Sequence, residues 1–383
     1  MNKKLYNHLI NKVSDLDMKM ILSIPEGGNW KDIPESIPSK RLEGIRKTGG
    51  RTTLYGRLKW DEPSYTISTY FTRPGNGTFI HPNDDKYENP LHRLITPREA
   101  ARLQSFPDDY VFLGSKSSIA TQIGNAVPPI LSYIVAKEIK KYLKSYNIID
   151  LFSGAGGLGL GFKKAGYNVL VANDNSKHAG STYKYNNPEV AFIEGDITKN
   201  EIKEKIINSI NNKKVDIICG GPPCQGFSLA GKRLSDDPRN FLFKEFVSMV
   251  EEIKPTFFVM ENVQGIMSSN KGETYRSIIN EFSALGYKVS SQIFNSANFG
   301  VPQKRKRVII IGSLIPNFDL NIIPIIKDEK KFLTVRDAIS NLVSIEALTK
   351  DTSTDFYPKS VTTYQKYLAG DIHIDDFLNS ISN

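Results

Sequence analysis

Cys224 lies in Gly220-Gly221-Pro222-Pro223-Cys224-Gln225-Gly226-Phe227-Ser228, where two prolines stiffen the lead into a thiol and a glycine lets the following loop close. A thiol aimed in this way is a candidate nucleophile. The chain's other cysteine, Cys219, sits inside the preceding apolar run and reads as a buried structural residue. Met260-Glu261-Asn262-Val263 ends a second apolar run in a carboxylate, which can serve as a proton donor or cap the helix that follows. Gln303-Lys304-Arg305-Lys306-Arg307 leads into a third. Arginines that enter a buried strand need an anionic or carbonyl partner, so this cluster is more than a solvated basic patch.

A second group of residues has the chemistry of a cofactor site. Asp150-Leu151-Phe152-Ser153-Gly154-Ala155-Gly156-Gly157-Leu158-Gly159 is a G-x-G-x-x-G turn between a strand-like run and a helix-like one, which lets a ligand approach the backbone closely. Asp174 follows Gly154 by 20 residues, the spacing at which a carboxylate holds a ribose diol. The glycines alone are equally consistent with tight helix–sheet packing. Acidic residues at Asp150 and Asp196 shift the expectation from a dinucleotide to a cationic ligand without pyrophosphate, a description that S-adenosylmethionine fits.

The elements that would position these groups alternate regularly from residue 146. Nearly unbroken apolar runs at 148–152, 169–172, 191–193, 215–219, 257–260 and 308–312 predict strands buried on both faces, with helical spacing between them at 241–253 and 274–285. This predicts an α/β fold with a doubly wound, mostly parallel sheet. Thr96-Pro97-Arg98-Glu99 predicts a capped helix start, and Val127-Pro128-Pro129 another. Residues 1–92 and 316–383 are rich in turn residues, and neither stretch carries enough apolar periodicity for its own core. The expected division is therefore 1–92 together with 316–383 as a second, smaller irregular domain, 93–145 as a helical segment packed on the catalytic domain, and 146–315 as that domain. The net charge of +9 over 383 residues favours a polyanionic partner. No apolar run reaches the roughly 18 residues of a membrane span, no secretory signal is visible, and two cysteines build neither a disulfide framework nor a four-ligand zinc site. The expected location is cytoplasmic.

Taken together, these motifs resemble the DNA cytosine-5 methyltransferase family. Residues 150–159 resemble its cofactor motif, 221–228 its Pro-Cys-Gln loop, 261–263 its Glu-Asn-Val motif and 303–307 its Gln-x-Arg-x-Arg motif. Arg93 to Tyr110 resembles the family's Arg-Glu-Ala-Ala-Arg-Leu-Gln-x-Phe-Pro helix, and Gln122 to Pro128 its last motif. The order departs from the family's usual one: the two final motifs precede all the others, as a circular permutation would place them.

The resemblance implies a Rossmann-like S-adenosylmethionine-dependent methyltransferase with a target-recognition domain. It would methylate C5 of a cytosine flipped out of a specific duplex DNA sequence, as the methylase of a bacterial restriction-modification system. It further implies Cys224 as the nucleophile on C6, Glu261 as the acid at N3, Arg307 at cytosine O2 and Arg305 in support, all counted as catalytic. S-adenosylmethionine would be held by Phe152, Gly154, Gly156, Gly157, Asp174, Asp196, Ile197, Pro222, Leu242, Asn125 and Val127, with no metal. Gln225, Ser228, Lys232, Arg233 and Arg239 of the loop, and Thr66 and Ile67 of the recognition region, would meet DNA. Asn175 departs from relatives that place an apolar or aromatic residue against the adenine. The enzyme is expected to act as a monomer associated with the nucleoid. A tRNA cytosine-5 methyltransferase and an inactive DNA-binding accessory protein are the alternatives; methyl transfer to duplex DNA, to tRNA or to neither separates the three.

Overall fold

The computed structural model describes residues 4–82, 92–223, 242–342, 353–354 and 357–382. They form two compact units, one of residues 126–299 and 306–324 and the other of residues 1–125, 300–305 and 325–383.

The first unit is built on a seven-stranded sheet. Its strands are β1 (Asn147–Leu151), β2 (Asn168–Asp174), β3 (Ala191–Glu194), β4 (Ile217–Gly220), β5 (Phe257–Val263), β6 (Lys288–Asn295) and β7 (Lys306–Ser313). Across the sheet they run β3-β2-β1-β4-β5-β7-β6. The first five are parallel, and β7 is antiparallel to both β5 and β6. Ile148, Ile149, Ile217, Ile218, Phe257, Phe258 and Val259 are fully buried, as central strands covered by helices on both faces must be. The doubly wound sheet expected from the sequence is thus present. Strand β6 lies outside that expectation because it is an edge strand of mixed character, Lys-Val-Ser-Ser-Gln-Ile-Phe-Asn, with no apolar run to announce it.

Helix Pro129–Lys140 belongs to this unit because it packs on helix Gly157–Lys164. Ser132 Oγ donates to the Leu158 carbonyl, Tyr167 to that of Ala136 at 3.1 Å and Lys140 to that of Ala165 at 2.6 Å.

The second unit is organised by a seven-residue helix, Pro97–Leu103, every residue of which is buried. Thr96 and Glu99 form the expected capping box. Three arginines are buried with the helix, and two of them, Arg98 and Arg102, also reach partners far away in sequence. Arg93 makes two 2.7 Å hydrogen bonds to Glu99. Arg98 donates to the carbonyls of Tyr6, Pro107 and Tyr110. Arg102 grips Asp108 at 2.8 and 2.7 Å and donates to Ala338 O and Asn341 Oδ1. Tyr364 and Tyr367 return hydrogen bonds to the carbonyls of Arg102 and Ser105, and Leu5–Tyr6 pairs with Ser353–Thr354. Residues from both chain ends therefore meet on this one helix. Helices Thr363–Leu368 and Ile374–Ile381 complete the C-terminal part, which the sequence reading left irregular.

The boundaries differ from those expected. Residues 93–125 fall with the N-terminal segment instead of with the sheet, because the partners of Arg98 and Arg102 lie there and in the C-terminal segment. Residues 316–324 stay with the sheet, where the Gln292 side-chain amide donates to Ile322 O at 2.8 Å and accepts from Ile322 N at 3.3 Å.

Burial raises the Asp108 carboxyl, but the Arg102 guanidinium outweighs it and holds the group below the usual carboxylate range. Removing one partner of a buried pair leaves the other uncompensated, so Arg102→Met is expected to destabilise the protein by about 3–5 kcal/mol. Urea unfolding measures this, and a loss under about 1 kcal/mol would be the value of an exposed pair.

Candidate active site

In a parallel sheet the loops after the strands gather at one edge, and the chemistry-bearing residues of the sheet unit collect there. Strand β1 leads into Phe152, whose φ of +52° is a conformation a bulky side chain rarely adopts. Gly154 and Gly156 follow at φ +53° and +89°, where glycine alone is free of strain, and Gly157 begins the next helix. Asp174 at the end of β2 reaches back to this turn. Its carboxylate accepts from the backbone N–H of Gly154 at 2.8 Å and from Ser176 N at 2.8 Å. Burial raises its pKa, and those two N–H groups oppose the rise.

Asn173 was missed in the sequence reading. It is buried, and its amide donates to the carbonyls of Ile193 and Gly195, joining the ends of β2 and β3. The available signal was a polar amide within an otherwise apolar strand. Asp196, after β3, is exposed and accepts from Thr198 N at 3.0 Å. Ile197 beside it is 3% exposed and packs into the hydrophobic core.

Strand β7 is antiparallel, so its first residues stand at the edge where β5 ends: Arg307 is the register partner of Val263, and Ile309 of Glu261. Residues two apart point to one face, which brings the Arg307 guanidinium to Glu261, Nε to Oε1, at 2.8 Å. Burial lowers the Arg307 pKa, and Glu261 opposes the shift. Glu261 also borders the loop after β4, since a Cβ on Gly221 would stand 3.1 Å from its Oε2. Asn262, also missed as a positioning residue, donates from its amide to Pro222 O at 3.0 Å and accepts from Val263 N. The Pro-Pro lead toward Cys224 is therefore tied to the strand that carries Glu261. Cys224, Gln225, Ser228, Lys232, Arg233 and Arg239 lie outside the described residues. Leu242, at the start of helix Leu242–Ile253, is half-buried. Cys219 is fully buried.

Val127 is buried in the sheet unit, and Asn125, exposed, ends helix Lys116–Asn125 in the other unit. Two expectations in that other unit need correction. Ile67 is fully buried, with its N–H donating to Gln303 Oε1 and its carbonyl accepting from Arg305, so its side chain is not presented to a polyanion. Arg305, expected among the catalytic residues, is fully buried and donates to Ile67 O at 3.2 Å and Gly124 O at 2.8 Å. Thr66 is exposed and donates to Lys304 O.

The sheet edge thus holds a glycine turn into a helix, a strand-end carboxylate tied to it and a buried Glu–Arg pair bordering Gly221 and Pro222. The chain matches the model of the C-5 cytosine-specific DNA methylase family over residues 2–141 and 146–373, and it belongs to that family. It is similar to the Type II methyltransferase M1.HphI of Haemophilus parahaemolyticus, 46% identical over 189 residues, which are 48% of this chain and 50% of that protein. It is also similar to M.DdeI of Desulfomicrobium norvegicum, 47% identical over 208 residues, 52% of this chain and 49% of that one. A third relative is M.AquIA of a Picosynechococcus species, 40% identical over 220 residues, 51% of this chain and 88% of that one. The chain spans about half the length of the first two.

Beneath the glycine turn, Asp150 is fully buried, with the Cys219 thiol donating to its Oδ1 at 3.8 Å. Burial pushes its carboxyl up to about 7; the thiol opposes this and the charge of Asp174 adds to it. A folded-state pKa above the unfolded value of about 3.9 means the proton is held more tightly in the native state. The resulting stability is fully present below about pH 4 and is lost as pH rises through 7. At 1.36 kcal/mol per unit it is on the order of 4 kcal/mol. Asp150→Asn is expected to remove that decline, so that its stability relative to the parent improves from pH 4.5 to pH 8 in urea titrations. Parallel pH profiles for the two proteins would contradict it.

Proposed function

We infer that this protein transfers a methyl group to C5 of cytosine in duplex DNA. The observation that carries the reading is the Glu261–Arg307 pair, held against the Gly221-Pro222-Pro223 lead into Cys224. C5 of cytosine is a weak nucleophile until the ring is activated. The Cys224 thiolate adds to C6, forming the S–C6 bond and pushing electron density toward C5. Glu261 meets N3 as an acid and neutralises the charge that builds on the ring, and Arg307 donates to O2. After C5 has been alkylated, loss of its proton to a base and rupture of the S–C6 bond restore the aromatic ring and release Cys224. The base must leave the helical stack to be reached, at a cost of a few kcal/mol.

S-adenosylmethionine fits the chain's own residues. A Cβ on Gly154 would meet nothing within 4 Å, so the turn leaves room there for close approach to its backbone, and Asp174 is held beside it by two N–H groups, where a ribose diol would be met. Bound there, the cofactor supplies an electrophilic methyl group. Asp196 and Ile197, with Gly157, Pro222, Leu242, Asn125 and Val127, complete the proposed set. Its setting is the bacterial cytoplasm, with a restriction-modification system as the role.

The order of elements supports a permuted chain: the family match breaks at residues 142–145, just before β1. Joining the ends and reopening between Lys144 and Tyr146 would place the cofactor motif first. That rearranged protein is expected to modify the same site as the parent, and a change of site would contradict the permuted arrangement.

Labelled-methyl transfer to duplex DNA and to tRNA, with bisulfite sequencing of DNA from expressing cells, tests the activity. Cys224→Ser is expected to abolish transfer while leaving S-adenosylmethionine affinity by calorimetry nearly unchanged. Glu261→Gln keeps the shape but not the acid and is expected to lower kcat by about 100-fold or more. Full activity in the Ser variant would sink the covalent mechanism.

A further inference from the structure

The segment Ser64–Tyr70 is held along its length by side chains from two distant parts of its unit. Ser64 donates both its N–H and its hydroxyl to Pro302 O, at 3.0 and 3.1 Å. Ser64–Tyr65 pairs in parallel with Gln303–Lys304, and the Thr66 hydroxyl donates to Lys304 O at 2.9 Å. Ile67 is gripped at both ends of its peptide, its N–H on Gln303 Oε1 at 2.9 Å and its carbonyl under Arg305. Gln303 is itself anchored, donating to Leu103 O and Gln104 Oε1 on the buried helix and the turn after it. The other hand of Arg305 holds Gly124 O at 2.8 Å. Gly124 lies directly on the segment: a Cβ there would come within 2.4 Å of Thr69 N and 2.5 Å of the Ser68 carbonyl carbon.

This clamp occupies one side of the segment. The side chains left outside are Tyr65, Thr66 and Tyr70, with the two tyrosines 54% and 55% exposed. Exposed Arg73 places its guanidinium 5.7 Å from the centroid of the Tyr70 ring. Two half-exposed tyrosines on clamped backbone, one of them under a cation, form a rigid amphipathic ledge with positive charge at its rim. Its chemistry suits a sugar–phosphate backbone and base edges, for which tyrosine and arginine supply both stacking surface and donors.

We propose that Arg305 and Gln303 are positioning residues for target recognition, holding Ser64–Tyr70 as a preformed ledge whose Tyr65, Thr66 and Tyr70 meet the duplex at the target site. This rests on the DNA-methylating reading. A rigid ledge discriminates because a wrong base pair cannot be accommodated by movement of the backbone that reads it, and it pays no ordering entropy on binding. A single guanidinium spans the recognition segment and the residue before Asn125, a bidentate task that an ammonium cannot perform.

The test uses the full-length protein, its site first mapped by bisulfite sequencing. Steady-state rates are measured on the mapped duplex and on one with a single base pair changed. Arg305→Met is expected to raise KM for DNA by about tenfold or more, the worth of one lost charge-assisted hydrogen bond, and to lower discrimination between the duplexes. The loss in kcat should be much the smaller effect. Arg305→Lys should recover only part of the discrimination. Tyr70→Ala, at an exposed position that folding does not depend on, should weaken duplex binding several-fold by fluorescence anisotropy even if Arg305→Met fails to fold. A collapse of kcat with KM and discrimination unchanged would put Arg305 on the reacting base and overturn the proposal, as would full rescue by lysine or parental DNA affinity in Tyr70→Ala. Absence of DNA methylation by the parent protein would overturn the underlying reading; a methylating parent with unaltered variants would overturn this inference alone.

Discussion

A charged side chain removed from water must find a partner, and most of this architecture follows from meeting that demand at a few buried positions. Arg93, Arg98 and Arg102 sit on or beside a helix with no solvent-facing residue. Arg93 pairs with Glu99 of that helix, while the partners of Arg98 and Arg102 include residues 6, 108, 338 and 341, so satisfying them draws both chain ends onto one helix. Arg305 meets the same demand with two carbonyls, and Arg307 meets it with Glu261. Two arginines separated by one residue thus serve different units, because the chain passes from one unit to the other between 305 and 306.

The sheet converts this pairing into a site. Five parallel strands bring the glycine turn, Asp174, Asp196 and the Pro-Pro loop to one edge, since each loop follows its strand's C-terminal end. Arg307 precedes its strand instead of following it. It reaches the same edge because β7 runs the other way, and the register with β5 sets it diagonally from Glu261. An acid and a guanidinium that are 46 residues apart in the chain become a hydrogen-bonded pair through strand direction alone.

Buried amides do the quieter positioning. Asn173 ties the ends of two strands, Asn262 holds the carbonyl of Pro222, and Gln303 holds a peptide at its N–H. Each uses its amide to satisfy backbone groups that an apolar side chain would leave unpaired: Asn173 donates twice, while Asn262 and Gln303 both donate and accept.

The sequence by itself determined the doubly wound sheet, the capping box at Thr96, the glycine turn with its carboxylate, and the family to which the motifs belong. These are local or periodic properties: turn residues at fixed offsets, unbroken β-branched runs, and side-chain types that chemistry selects directly. It did not disclose strand β6, whose alternation at an exposed edge carries no apolar run; the two short C-terminal helices did carry local signals, the Thr362 and His373 caps and the apolar spacing of Ile374, Phe377 and Leu378, which the surrounding turn residues obscured. Tertiary structure alone decided that Ile67 points inward and that Arg305 holds carbonyls while Arg307, two residues on, meets a carboxylate. The two arginines are identical in sequence terms. What separates them is which buried polar groups the folded chain brings within hydrogen-bond reach: Arg305 finds the carbonyls of Ile67 and Gly124, each more than 150 residues away, and Arg307 finds Glu261 through the register of two strands.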